Sequence, residues 1–512
     1  MDDLLSRTRA AVWHPCTQMK QLEAAPPLAI ARGEGPWLID TDGRRYLDAI
    51  SSWWVNLFGH CNPRINAAIT DQLGRIEHVM LAGATHAPVV ELSERLARLT
   101  GLGHAFYASD GASATEIALK MSAHYWRNSG RPEKNGFISL QNGYHGETVG
   151  ALSVTDIPLF KSTYAPLLRH TAQVPTPDAR LAEAGESAEA YALRCAAALE
   201  AHLAEHAATT AAFIVEPLVQ GAAGMAMYHP AYLARSRELC DRYEVHLIAD
   251  EIAVGFGRTG TMFACEQAAA YLETDSDAET ASPSHSRCST PAESGGSASR
   301  RTGTRIASAQ ASHPPSGPLP SREGGLAPSP LRGEGWGGGE CPHNRASRVA
   351  DFICLSKGIT GGYLPLSAVL TTDHIYDAFY GDETARGFLH SHSYTGNPLA
   401  CRAALAVLDI FEQDQVIVTN RTNAAIFTEM LAKVAAHPRV RQFRHLGMIW
   451  AFDVADSGAG FSTRFHQMAL AQGVFIRPIG NTVYVMPPYV TSADEMRLLA
   501  DAMMTCLNDP GV

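Results

Sequence analysis

Apolar and polar positions change period several times along the chain, and each change marks an element. Residues 27–50 alternate: Leu28 and Ile30, then Trp37-Leu-Ile39, a turn at Asp42-Gly43, and Tyr46-Leu-Asp48. An Asp-Gly pair between apolar runs predicts a hairpin. From 64 to 100 the apolar spacing becomes three and four (Ile65, Ile69, Leu73, Ile76; then Val89, Leu92, Leu96, Leu99), which predicts helices. Short apolar runs then recur between helical stretches, at Ala105–Tyr107, Gly136–Leu140, Ala211–Val215, Val245–Ala249 and Phe352–Leu355. This alternation predicts an α/β fold, a mostly parallel sheet with helices on both faces, and functional residues at the carboxyl ends of the strands. From about 397 the order becomes helix, strand Ile449–Asp453, helix, strand Val483–Val485, helix. The predicted division is an N-terminal segment (1–50) joining a small α+β domain (396–512), with a large domain over 51–395.

Residues 273–348 break the pattern. Ser, Gly, Pro, Ala, Thr and Arg dominate, and large aliphatics are few. Such a stretch cannot bury enough apolar surface to offset its ordering entropy, so it is expected to be a disordered insertion in the large domain. Closing a longer loop costs only about 0.6 kcal/mol per doubling of length, so the flanking strands can still pair.

Charge and cysteine usage narrow the class. A net charge of -11 argues against a general affinity for nucleic acid or anionic membrane. The ten cysteines form no C-x-x-C pair and no zinc-spaced cluster, so reduced thiols and no metal site are expected. Met1-Asp-Asp-Leu-Leu5 has no apolar signal core, and no run is long enough to span a bilayer. The expectation is a cytoplasmic enzyme acting on small molecules.

Charged residues stand at the ends of two apolar runs. Asp250 and Glu251 follow His246-Leu-Ile-Ala249 and precede Gly255-Phe-Gly257-Arg-Thr-Gly260; Lys357 follows Phe352–Ser356 and precedes Gly358 and Gly361-Gly362. A lysine and an acid delivered by buried strands into glycine-rich turns suit a pyridoxal phosphate enzyme. There the lysine forms a Schiff base with the cofactor and the acid keeps the pyridine nitrogen protonated. Taken singly, Lys357 could snorkel to solvent and Asp250 could cap a helix. The Gly255 pattern matches a dinucleotide fingerprint, but its glycines do not follow the strand directly, which favours a tight loop.

Four further constellations carry candidate chemistry. Ser109-Asp-Gly-Ala-Ser113 opens a helical pattern, where backbone N–H groups suit a phosphate or an ordinary cap. Asn142-Gly-Tyr-His-Gly146 places a ring beside a strand end, to stack on a flat cofactor or to pack a turn. Trp53-Trp54 offers an apolar wall or a core contact. Arg477 offers a planar guanidinium for a carboxylate, or a salt bridge to a nearby acid.

Together these motifs resemble the class III aminotransferases of the fold-type I pyridoxal phosphate enzymes. The resemblance covers the chain except for the insertion. Ile248-Ala-Asp-Glu251, Leu355-Ser-Lys-Gly358 and Gly396-Asn-Pro398 are shared across that family, whereas Trp13-His-Pro15, Ser51-Ser-Trp-Trp54 and Met486-Pro-Pro-Tyr489 are similar to its biotin-synthesis branch. The resemblance implies pyridoxal 5'-phosphate as cofactor, Lys357 as the Schiff-base lysine and Asp250 as the pyridinium partner. It implies Tyr144 over the ring, and Gly111 and Ala112 on the phosphate. Ser393, in His390-Ser-His-Ser-Tyr-Thr395, would reach the phosphate of the neighbouring subunit of a homodimer. Ser391 and Tyr484 are further substrate-site candidates. Arg477 would bind the keto-acid carboxylate, with Trp53 and Trp54 along its aliphatic chain. The implied substrates are S-adenosylmethionine and 8-amino-7-oxononanoate. One departure is plain: Cys16 stands where the family often has a tyrosine that reaches substrate.

Overall fold

The computed structural model describes residues 2–281, 346–509 and 511. The predicted hairpin forms as β1 (Ile30–Glu34), β2 (Trp37–Asp40) and β3 (Arg45–Asp48), with Gly43 in the turn at φ +82°. Seven strands make the large sheet: β4 (His104–Ala108), β5 (Gly136–Leu140), β6 (Ala172–Val174), β7 (Thr210–Val215), β8 (His246–Asp250), β9 (Phe352–Leu355) and β10 (Ser367–Thr371). Their order is β4-β10-β9-β8-β7-β5-β6. Only β10 runs against the rest.

Period-two alternation explains how this sheet is held. Phe213, Val215, Leu247, Ala249, Ile353 and Leu355 join one hydrophobic cluster. Ile214, Ile248, Phe352 and Cys354 join a second, with Ile117 and Met121 of the helix Gly111–Asn128. Each fully buried Val, Leu, Ile or Phe among them contributes on the order of 1.5–3 kcal/mol. β7 and β8 are therefore apolar on both faces, and polar groups are confined to their ends.

The third sheet is antiparallel, β11 (Val440–Leu446), β12 (Ile449–Val454) and β14 (Thr482–Val485). Between the last two, β13 (Val474–Phe475) pairs in parallel with β3, so the N-terminal hairpin and the C-terminal region share one sheet. The sequence did not announce β6, β10 or β11. β11 has a single buried residue and reads Val-Arg-Gln-Phe-Arg-His-Leu, without an apolar run.

The structure moves the boundaries of the predicted insertion. The helix Cys265–Ala281 passes residue 273, Ala346 and Val349 are buried, and Arg348 pairs with Glu273 at 2.8 Å. The polar run Glu273–Asp277 hid that helix, because composition alone cannot tell a polar helix end from a loop. Residues 282–345 of that prediction lie outside the described residues. Among the described residues no helix is long and apolar enough to cross a membrane.

Candidate active site

Adjacent parallel strands place their carboxyl ends side by side. Asp250 closes β8 in register with Cys354 of β9, and Lys357 emerges just past the end of β9. Glu216 follows β7, the 142–146 loop follows β5, and Ser109–Ala112 follows β4. These segments line one cavity of about 750 Å³, together with Trp54 and the 360–366 turn.

At one end of the cavity is the start of the helix Gly111–Asn128. Asp110 caps it by accepting from the Ser113 N–H (2.9 Å) and Ser113 Oγ (2.9 Å), while Gly111 and Ala112 face the cavity. A Cβ at Gly111 would sit 2.9 Å from Ile252 Cγ2, so glycine keeps the helix start close to the cavity wall. A phosphate is at home at such an end.

Beside it, Asp250 is buried. Its Oδ2 lies 2.7 Å from His145 Nδ1, and its Oδ1 accepts the Ile252 N–H at 3.1 Å. Glu216 is buried next to this pair and accepts backbone N–H groups from Tyr144 (2.9 Å) and Gly221 (3.0 Å). Burial pushes its carboxyl up to about 7, against the opposing pull of His145. Tyr144 lines the cavity and donates its hydroxyl to Glu147 at 2.9 Å. Burial, reinforced by Glu147, raises that phenol well above its ordinary range. Lys357 adopts φ +42°, and its Nζ lies 5.2 Å from the Trp54 ring centroid. Burial lowers the lysine's pKa, while Asp250 and Glu216 oppose the shift.

Trp54 is delivered by an unusual piece of chain. Ser51, Ser52, Trp53 and Trp54 all have left-handed φ values of +51°, +46°, +72° and +73°. Each costs about 1–2 kcal/mol for a non-glycine residue. Side chains hold the turn. Ser51 Oγ donates to the Met486 carbonyl (2.7 Å), Ser52 bonds Asp48 through N (2.9 Å) and Oγ (2.6 Å), and Trp54 Nε1 donates to Tyr484 Oη (3.1 Å). Buried Arg258 donates to the carbonyls of Asn56 (3.1 Å) and Pro487 (2.9 Å). The Gly255–Gly260 motif is thus a tight loop carrying Arg258, and it binds the turn beside the cavity.

The expected substrate residues are not all at the cavity. Trp54 lines it, but Trp53 is 47% exposed and lies under Arg477, whose guanidinium is 5.8 Å from its ring. Arg477 has no ion-pair partner among the described residues. Tyr484 is buried behind Trp54 as its hydrogen-bond partner and does not line the cavity. Ser391 and Ser393 are exposed and lie outside the cavity lining of this chain. Sequence reasoning assigned no role to Glu216, although Ile214-Val-Glu-Pro217 put an acid directly after a wholly apolar strand. Nor did it foresee His145 as the partner of Asp250.

The class III aminotransferase family matches residues 19–281 and 333–507. The chain belongs to the class III aminotransferases. The unmatched stretch falls within the low-complexity segment. Adenosylmethionine-8-amino-7-oxononanoate aminotransferase of Geobacter sulfurreducens is 36% identical to it, over 97% of this chain and 95% of the relative. The crystal structure of the enzyme of that name from Methanocaldococcus jannaschii has a TM-score of 0.79 at 32% identity, covering 99% of this chain and 98% of that one. An amine transaminase from an uncultivated Pseudomonas species, solved in its PLP-bound form, has a TM-score of 0.77 at 29% identity and covers 97% and 98% of the two chains. As in this family, the cofactor is pyridoxal 5'-phosphate. The residues present fit it: a helix start kept open by glycine, a buried carboxylate with one histidine partner, and a partly buried lysine between them.

Two buried glutamates give the fold a pH dependence. Glu251 accepts the N–H groups of Ala264 (3.0 Å) and Cys265 (2.8 Å) at the helix start, and burial pushes it, like Glu216, up to about 7. An acid whose folded pKa is raised binds more protons folded than unfolded between about pH 4.5 and 7, so stability falls as pH rises through that window. Glu251 and Glu216 should therefore lower the melting temperature by a few degrees between pH 5 and 7.5. Thermal melts of Glu251→Gln and Glu216→Gln, which cannot titrate, are expected to show a flatter slope.

Proposed function

We propose that this aminotransferase moves an amino group from S-adenosylmethionine to 8-amino-7-oxononanoate, giving 7,8-diaminononanoate, a step of biotin biosynthesis. Full-length likeness to enzymes of that name carries the reading. Arg477, which has no ion-pair partner among the described residues and lies over Trp53, supports it together with the Trp54 wall, because an acceptor with a carboxylate at one end of an aliphatic chain needs both kinds of contact.

Bound pyridoxal phosphate supplies the carbonyl that exchanges amino groups and the ring that accepts electron density. The N–H groups of Gly111 and Ala112 would hold its phosphate, and Asp250, oriented by His145, would keep the ring nitrogen protonated. Lys357, at the cavity wall, would be the residue that holds the cofactor covalently, and its Nζ would move the proton at the amine-bearing carbon of donor and acceptor. Burial lowers the lysine's pKa, which favours the free amine needed to act as a base. Tyr144 flanks the cavity wall, and Trp54 keeps water from the lysine. Ser393, exposed here, is assigned to the phosphate site of the partner in a homodimer, and Ser391, also exposed, to the substrate site. The reading includes a cytoplasmic enzyme with a large cofactor domain and a small domain built from both chain ends.

The deciding experiment is a pair of half-reactions on cofactor-loaded protein, followed by visible absorbance. Adenosylmethionine should bleach the cofactor band and 8-amino-7-oxononanoate should restore it. Bleaching by a simple ω-amine alone would reject the substrate assignment. Arg477→Ala should raise KM for the keto acid about 10- to 100-fold and change kcat less, since it removes one charged hydrogen-bonding group remote from the reacting carbon. Steady-state kinetics at varied acceptor concentration checks this.

A further inference from the structure

Trp54 is fixed on several sides. Its backbone lies in the left-handed turn, its Nε1 donates to Tyr484 Oη at 3.1 Å, and the Tyr484 ring meets it edge-on at 6.1 Å. The open side of its ring is the cavity, where Lys357 Nζ lies 5.2 Å from the ring centroid. The outer edge of the indole rests on Gly221. A Cβ at Gly221 would sit 2.9 Å from Trp54 Cζ3 and 3.0 Å from Cη2.

Gly221 is not required by its own backbone, for it is absent from the positive-φ residues. It is pinned in place, donating its N–H to Glu216 Oε1 (3.0 Å) and accepting from the Met225 N–H (3.1 Å). The glycine therefore answers to the tryptophan ring. A side chain at 221 cannot retreat without breaking these two bonds, and the ring it meets borders the cavity.

We infer that Gly221 is a specificity-determining position, which, by leaving room for the indole of Trp54, sets the width of the slot taken by the acceptor's aliphatic chain. The inference rests on the assignment of a long-chain keto acid to this site. Hydrophobic slots discriminate by single methylenes, with effects of about 10- to 200-fold, so one methyl group in the wall is enough to register.

The test uses cofactor-loaded enzyme and three variants, Gly221→Ala, Trp54→Phe and the double variant. They are assayed with 8-amino-7-oxononanoate and with a homologue whose chain is several methylenes shorter. Gly221→Ala should lower kcat/KM for the long acceptor about tenfold or more, mainly through KM, and for the short one less than about threefold. The double variant should recover the long acceptor, because phenylalanine lacks the two ring atoms that a Cβ at 221 meets. An equal loss on both acceptors, no loss at all, or a double variant no better than Gly221→Ala would overturn the inference. Should Gly221→Ala not fold, Trp54→Phe alone still decides. It should improve a homologue one methylene longer relative to the native acceptor, and an unchanged ratio overturns the inference. A wild-type enzyme that ignores 8-amino-7-oxononanoate would instead reject the substrate assignment. The coupling between positions 221 and 54 would then be read on oxo acids of graded length with a simple amine donor.

Discussion

Lys357→Ala is expected to lower turnover by about a thousandfold or more while leaving the protein folded. The lysine is asked to do two things, to bond with the cofactor and to move a proton at the reacting carbon, and general acid–base catalysis alone is worth about 10^2- to 10^4-fold. Alanine does neither. Stability should not suffer, because the lysine's charge is disfavoured by burial and its neighbours Ser356, Gly358 and Ile359 are held by their own packing. The cavity end formed by Gly111 and Ala112 and the floor at Asp250 are untouched, so the variant should still take up cofactor, with a changed absorbance band. A small added amine should restore part of the activity, since what is missing is an amine at one place. Normal turnover by the folded variant would reject Lys357 as the lysine of the reaction.

The strand-end acid and lysine were legible because β8 and β9 are apolar on both faces. In such strands a charge can only appear at an end, and parallel pairing then brings the two ends together. The phosphate end was legible for the same reason, with a glycine after a Ser-Asp cap. What the sequence could not show depends on contacts between distant segments. Tyr484 looked like a substrate residue, yet 430 positions separate it from the indole N–H it accepts. Trp53 and Trp54 read as one wall, but successive left-handed residues turn one ring into the cavity and the other to the surface beneath Arg477. No propensity predicts four such residues in a row, because contacts from Asp48, Met486, Tyr484 and Arg258 help to stabilise them. Within the 142–146 loop only Tyr144 has a role legible in the sequence, because the pairing of His145 with Asp250 spans 105 positions.

Asp250→Asn is expected to lower turnover by about a hundredfold to a thousandfold, the scale seen when one preorganised electrostatic group is removed from a reaction centre. The side chains are the same size, so the contacts to the Ile252 N–H and to His145 leave room for the amide. The negative charge is lost, and with it the means of keeping the cofactor's ring nitrogen protonated. The signs of the secondary shifts follow from the same charge. Asp250 raises the pKa of both Glu216 and Lys357, so each should titrate at a lower pH in the variant. The acid limb of the remaining activity should therefore move downward, which a pH profile of the half-reaction would show. His145→Asn keeps the carboxylate and removes only its orienting partner. Its effect should be smaller, about tenfold, and should disappear in an Asp250→Asn background if His145 acts through Asp250. A full additional loss in the double variant would place His145 in direct contact with the chemistry instead.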